Sequence, residues 1–316
     1  VSKKPRTVFI AIPSYSQKVS IATSHSLMNA IGEITALGAQ IHVETLCNDA
    51  LVARARNTLF AMAFEREYDD LVFVDDDLGW EQGAIKRLLQ HPVECVGGLY
   101  PIRREGEEYL FRWDVTKGQA QIDPTNGLLE VDSIPTGFLR LTKSCIRKMI
   151  EAYSAREYLD DSRNPKSAWA VFDCMFVPGD ENDKRGRYWG EDFVFCQRWR
   201  HIGGRVWCDP WLKFRHVGEK AFIGCFGTYK KRELLAVQKK QKLLDEGEKQ
   251  GQSPIQAVTG ANLPPGYAEA QAQKRKEVVD RANGNVTQQE STTENQQNVL
   301  IQRPPGSAGN GAGLEA

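Results

Sequence analysis

LVFVDDDLGW, residues 71–80, sets four apolar residues in a row against three consecutive carboxylates. An unbroken apolar run of that length reads as a strand buried on both faces. It ends in Asp75, Asp76 and Asp77. At roughly 4 Å each like-charge repulsion costs on the order of 1 kcal/mol in water and about 4 kcal/mol near a protein surface. A positive partner is therefore expected there. Carboxylate oxygens are hard ligands, so the D-x-D of Asp75 and Asp77 suits Mg²⁺ or Mn²⁺ that also holds phosphate oxygens. The alternatives are a solvated acidic turn, or an aspartate capping a helix that starts near Trp80.

The segments around this strand alternate in type. TVFIAI (7–12) reads as a strand, and SHSLMNAIGEITALG (24–38) as a helix with Leu27, Ile31, Ile34 and Leu37 on one face, ending at Gly38. QIHVETL (40–46) is a second strand, and Asp49 is placed to cap a helix running to about Glu67. WEQGAIKRLLQH and VECVGG then give a short helix and a further strand. This βαβαβαβ order predicts an α/β fold with a mostly parallel sheet, whose ligands bind beyond the carboxyl ends of the strands. Pro13–Tyr15, Cys47–Asp49 and the aspartates all fall at such ends. Residues 103–180 read as richer in β and loop, with EEYLFRW, GQAQI, GLLEVDSI and TGFLRLT as extended pieces. KSCIRKMIEAY is a helix, SAREYLDDSRNPK (154–166) a loop, and GEDFVFCQRWRHIGG (190–204) the strongest later helix.

The chain of 316 residues is 41% hydrophobic, enough for a core, and its 41 basic residues balance 41 acidic ones. Without a global field, bulk nucleic acid or an anionic membrane is disfavoured as a partner. Seven scattered cysteines form no C-x-x-C pair, which disfavours zinc and fits reduced thiols of a cytoplasmic protein. No apolar run is long enough to span a membrane, and VSKKPRTVFIAIPSYS fits a first strand better than a secretory leader. Composition shifts near Gly247. Residues 1–245 are expected to fold, as a nucleotide-binding half (1–100) and an acceptor half (101–245). Residues 246–316 are expected to be mostly disordered, with a short helix at 266–282.

Several side chains are candidates for chemistry. Glu191 and Asp192 open a helix, where acids are ordinary on dipole grounds and where a general base is also well placed. His216, in FRHVG, is either structural or a metal ligand completing an Asp-plus-His site. Arg54 and Asn57 share a helix face, with Arg56 pointing elsewhere, and suit either a solvated face or phosphate recognition. No G-x-G-x-x-G, P-loop or G-x-S-x-G pattern occurs, which removes support for dinucleotide, P-loop and α/β-hydrolase readings.

Taken together, VFIAIPSYS, the ARARN helix, LVFVDDDLGW, IPTGFLRLTKSCIRKM, GEDFVFCQRWRHIGGRVWCDP and FRHVG resemble a GT-A fold nucleotide-sugar glycosyltransferase, family-2-like, over about residues 7–218. The resemblance implies a sheet sandwiched by helices and a metal-dependent sugar transfer from a nucleotide-diphosphate donor, with Mn²⁺ or Mg²⁺ as cofactor. It implies that Pro13, Ser14, Tyr15, Arg54, Asn57, Asp75, Asp76 and Gly137 surround the donor. It further implies that Asp77, with Asp75 and His216, serves the metal, that Asp192 is the base, and that Glu191 assists. Attack on the face opposite the leaving group implies inversion.

The loop VPGDENDKRGRYWG (177–190) is expected to be either a lid or a solvated loop. The acceptor stays open among glycan, lipid-linked sugar, protein and nucleic acid. The basic helix YKKRELLAVQKKQK (229–242) leaves a nucleic-acid acceptor possible, while a helix packing Leu234, Leu235 and Val237 is the plainer reading. A nucleotidyltransferase using an NTP at the same metal site, or a non-catalytic nucleotide- or sugar-binding module, are the rival functions.

Overall fold

The structure, a computed structural model, describes residues 4–113, 122–161, 163–179 and 184–250. The chain begins β1 (Thr7–Ser14), α1 (Ile21–Ala36), β2 (Gln40–Cys47), α2 (Val52–Glu65), β3 (Asp70–Val74), β4 (Leu78–Trp80), α3 (Ala84–Gln90) and β5 (Cys95–Gly98). It continues through β6 (Leu129–Val131), β7 (Phe138–Thr142), α4 (Lys143–Ala152), β8 (Glu157–Leu159), β9 (Ser167–Trp169), β10 (Met175–Val177) and β11 (Arg187–Trp189). The last described elements are α5 (Glu191–His201), β12 (Val206–Asp209), β13 (Lys213–Val217), β14 (Ala221–Cys225) and α6 (Phe226–Lys249).

Seven strands form the main sheet in the order β2-β1-β3-β7-β5-β12-β6. Five run in one direction, with β7 and β6 opposed to their neighbours, so the sheet is mostly parallel as expected. Strand alternation divides its side chains between two cores. Val8, Ile10, Ile12, Val72 and Val74 pack with Ala30 and Ile34 of α1 and Ile85, Leu88 and Leu89 of α3. Phe9, Ala11, Leu71 and Phe73 pack with Leu59 and Phe60 of α2, Ile146 and Met149 of α4, and Phe195 and Trp199 of α5. Each fully buried side chain of this size contributes about 1.5–3 kcal/mol. Helices thus cover both faces, which is why β1 and β3 are apolar without alternation.

Local details depart from the sequence reading in instructive places. α1 starts earlier, because the Ser20 hydroxyl caps it by accepting the Thr23 N–H at 3.0 Å. Its buried face is Thr23, Ser26, Ala30 and Ile34, while Leu37 is exposed. Gly38, at φ +74°, ends it as expected. Asp49 does not cap α2: it accepts the Leu51 N–H at 3.0 Å in the turn before the helix and is gripped by Arg54. Leu78–Trp80 forms a strand instead of opening a helix, pairing antiparallel with β13. Tyr109 and Arg112 make only isolated bridges rather than a full strand. The loop expected over 154–166 contains β8, which pairs with β9.

Residues 1–230 and 231–316 form two units. In the second, the described residues continue α6, and Leu234, Leu235 and Val237, expected to pack, are each more than half exposed. The segment expected to be disordered from residue 246 instead begins inside α6, which runs to Lys249. Its residues from 251 onward, with the helix expected at 266–282, lie outside the described residues, as do residues 180–183 of the expected lid. No described helix is long and apolar enough to cross a membrane.

Candidate active site

The three aspartates follow β3 directly, and the turn sends them to different partners. The Asp75 backbone N–H donates to Gly137 O at 3.0 Å, which ties the turn to the start of β7. The Asp75 carboxylate accepts from Arg56 Nη2 at 3.1 Å and from the Tyr100 hydroxyl at 3.3 Å. Gly137 has to lack a side chain: a Cβ there would lie 2.2 Å from Asp75 Oδ2 and 2.3 Å from the Tyr100 hydroxyl. Asp76 turns its carbonyl to α1, accepting from Ser20 N–H at 2.7 Å and Thr23 Oγ–H at 3.0 Å. Burial pushes the Asp76 carboxyl above its ordinary range, Ser14 opposes that shift, and Asp77 and Asp75 add to it. The Ser14 oxygen also lies 3.0 Å from Lys18 O, so its single proton serves one acceptor at a time.

Asp77 accepts from Arg103 Nη1 at 2.8 Å, and its other oxygen lies 3.4 Å from His216 Nε2. His216 Nδ1 is 2.8 Å from Pro101 O. A carbonyl only accepts, so Nδ1 carries the proton there and Nε2 faces Asp77. Burial, the largest influence on this imidazole, lowers its pKa, but Asp77 and Pro101 O together raise it above the ordinary value. The positive charge that the repelling aspartates demand is therefore supplied by two arginines, one on Asp75 and one on Asp77.

Arg56 is the hub. Its side chain is 6% exposed and reaches both Asp75 and Glu191 Oε1, the latter at 3.3 Å from Nε. Burial pulls its pKa down, but Asp75 and Glu191 more than compensate and keep it charged. Nε and Nη1 have no hydrogen-bond partner, so this buried guanidinium has donor capacity left over. Asp192, beside Glu191 at the start of α5, accepts the Phe193 N–H at 2.8 Å. Burial, with the neighbouring Glu191 charge, pushes its carboxyl up to about 6. Tyr100 stays protonated far above its usual range through burial, and the charges of Asp75, Arg56, Asp192 and Asp77 all reach it. The strand-end aspartates and the α5 acids therefore share one electrostatic neighbourhood.

Other expected residues lie as follows. Pro13 and Ser14 are buried at the end of β1, and Tyr15 beside them is 69% exposed. Arg54 is spent on Asp49, with both guanidinium contacts at 2.9 Å. Asn57 exchanges two hydrogen bonds with the Phe172 backbone, at 2.8 and 2.9 Å. Both therefore brace neighbouring loops, and Arg56, expected to point elsewhere, is the residue that enters the acid cluster. Arg56, Tyr100 and Arg103 were not singled out as site residues from sequence. The available signal was that Arg56 is the one charge on the apolar stripe shared with Leu59, Phe60 and Ala63. Arg112, sandwiched between the Trp189 and Phe193 rings at 4.6 and 4.8 Å, gave no such signal.

The three expected metal ligands are not gathered into one set: among the described residues no group of three His, Cys, Asp or Glu is placed to hold an ion. Asp75 is committed to Arg56 and Tyr100. Asp77 and His216 remain as a pair, and their 3.4 Å separation is close to the roughly 3 Å expected between adjacent ligands of an octahedral ion bound at 2.0–2.1 Å. Mg²⁺ is commonly held by one or two protein groups, with substrate phosphates and water completing the shell. The pair fits that kind of site once Arg103 releases Asp77.

No protein-family model and no curated protein matches the chain. Solved structures similar in outline include "A197 from STIV", at 16% identity and a TM-score of 0.38 over 67% of this chain and 86% of that one. Another is S. aureus TarS 1–349 in complex with UDP-GlcNAc, at 12% identity and 0.34 over 64% and 55%. A third is GalNAc-T7 with UDP, GalNAc and Mn²⁺, at 10% identity and 0.36 over 68% and 44%. The chain thus spans about half the length of the last two.

Proposed function

We propose that the chain is a GT-A-type glycosyltransferase that moves a sugar from a nucleotide-diphosphate donor to an acceptor hydroxyl, with inversion and with Mn²⁺ or Mg²⁺ as cofactor. The observation that carries this reading is Asp192, a partly buried carboxyl with its pKa pushed up to about 6, in the same neighbourhood as the strand-end aspartates. A general base works best with a pKa near the operating pH, and an ordinary aspartate is too acidic. In this scheme Asp192 takes the acceptor hydroxyl proton as the acceptor oxygen bonds to the anomeric carbon. The bond from that carbon to the diphosphate breaks, and its electron pair leaves on the diphosphate oxygen.

The other residues position and charge-balance this step. Asp77 and His216 would hold the divalent cation, and a cation bound there would neutralise charge on the departing diphosphate. Asp75, fixed by Arg56 and Tyr100, is oriented to accept from donor hydroxyls. Arg56 keeps Glu191 beside the base. Pro13, Ser14 and Tyr15 would line the nucleotide, and Gly137 leaves the space that a side chain would fill.

Thermal shifts with UDP, GDP, CDP and dTDP, each with Mn²⁺, Mg²⁺ or EDTA, test the proposal. One nucleotide at about a hundred times its Kd should stabilise the protein by about 2.7 kcal/mol, only with metal, and Asp77→Ala should abolish the effect. No metal-dependent shift with any of the four would overturn it. Release of pyrophosphate from an NTP would instead assign nucleotidyl transfer.

A further inference from the structure

On the other side of β13 from His216 lies a hollow of about 250 Å³, between the first turns of α1 and the β4-β13-β14 sheet. Alternation along β13 explains the division. Phe214 is buried in the core and His216 reaches Asp77, so Lys213 and Arg215 project to the opposite face, into the hollow. Arg215 stands in register with Gly79 on one side and Ile223 on the other. At Gly79 a Cβ would meet the Ala22 Cβ at 2.9 Å, so α1 comes down directly onto β4 there.

The charges at this place are unbalanced. Arg6, Arg54, Arg56, Arg87, Arg103 and Arg140 are all ion-paired. In contrast, no hydrogen bond or ion pair engages the side chains of Lys213, Arg215 or His25 among the described residues. The one acid in the hollow, Glu81, accepts the Lys213 backbone N–H at 3.2 Å and is held at the Lys213 end. Two exposed, unpaired cations and an imidazole therefore face one carboxylate around a space large enough for a small oxyanion and part of its carrier.

We propose that this hollow binds an oxyanion, the phosphate or carboxylate group of an anionic ligand, with Arg215 as the bidentate donor and Lys213 as a second positive contact. The site goes beyond the transferase reading and does not depend on it.

Calorimetric titration with inorganic phosphate, acetate and glycerol 3-phosphate, at constant ionic strength set by chloride, tests the proposal. Wild type should bind phosphate in the millimolar range, with backbone NMR shifts at Gly79 and Ile223. Lys213→Ala/Arg215→Ala should weaken binding at least tenfold, and Arg215→Gln alone at least threefold, while Asp77→Ala leaves it unchanged. Tighter binding of glycerol 3-phosphate than of phosphate would identify a phosphorylated carrier, and tighter acetate a carboxylate; both support the site. Equal affinity in wild type and both basic-residue variants, or no shift at Gly79 and Ile223, would overturn it.

Discussion

Asp192 illustrates the cost of placing a tuned acid in a partly closed site. Its pKa of about 6, against an ordinary 3.8, means that the folded protein holds this proton more tightly than the unfolded chain does. Between about pH 3.8 and 6 the folded state binds more protons, so the contribution of Asp192 to stability falls as pH rises through that window. Above it the penalty is fully present, up to about 3 kcal/mol. Asp192→Asn keeps an oxygen for the Phe193 N–H and removes the charge. The variant is therefore expected to melt a few degrees higher than wild type at pH 8, with the gain vanishing near pH 4, and to lose turnover. Melting curves across that pH range check the first part. Equal melting temperatures at pH 8 would show that Asp192 is not held at a raised pKa. Arg56 follows the opposite logic, because a buried cation between two carboxylates is retained only while both partners stay in place.

Among the elements, the turn from β3 to β4 is where local sequence and distant structure meet. Its aspartates were legible because a buried strand that stops at three adjacent carboxylates needs positive charge to hold them together. The partners of those aspartates were not, since they arrive from α2, from the segment after β5 and from β13. The three-residue strand β4 is too short to show a period, and only its pairing with β13 makes it a strand. On α2 the spacing of Arg54 and Asn57 was read correctly as one face, but that face turns to neighbouring loops and the apolar stripe turns to the site. Gly137 makes the junction testable. Gly137→Ala puts a methyl against Asp75 and Tyr100, which are fixed by each other and by Arg56. Overpacking of this kind costs about 1–3 kcal/mol. The variant should melt lower and lose metal-dependent nucleotide stabilisation, both read from the same thermal-shift plate. Wild-type behaviour in both readouts would mean that the turn adapts freely and that the close approach has no role.

For the whole molecule, the position of the core decides how much of the chain unfolds as one unit. Every buried apolar residue among the described residues falls between Val8 and Phe226, and both core clusters share the strands of the main sheet. Strands β1 and β3 contribute to both clusters, so neither cluster can lose its packing without exposing the other. Cooperative unfolding should therefore involve about the first 230 residues together. At about 0.7 kcal/mol per residue near 60 °C, that predicts a calorimetric enthalpy of about 160 kcal/mol in a single transition, against about 220 kcal/mol if all 316 residues took part. Scanning calorimetry of the full chain distinguishes these values. Two separated transitions would divide the sheet, contrary to the shared strands. An enthalpy near the larger value would place substantial packing beyond residue 230. An enthalpy near the smaller one, with the whole transition shifted upward by nucleotide and metal, would tie the proposed site to the unit that carries the core, because a ligand bound at the ends of β1, β3 and β5 stabilises every strand that must separate for the sheet to open.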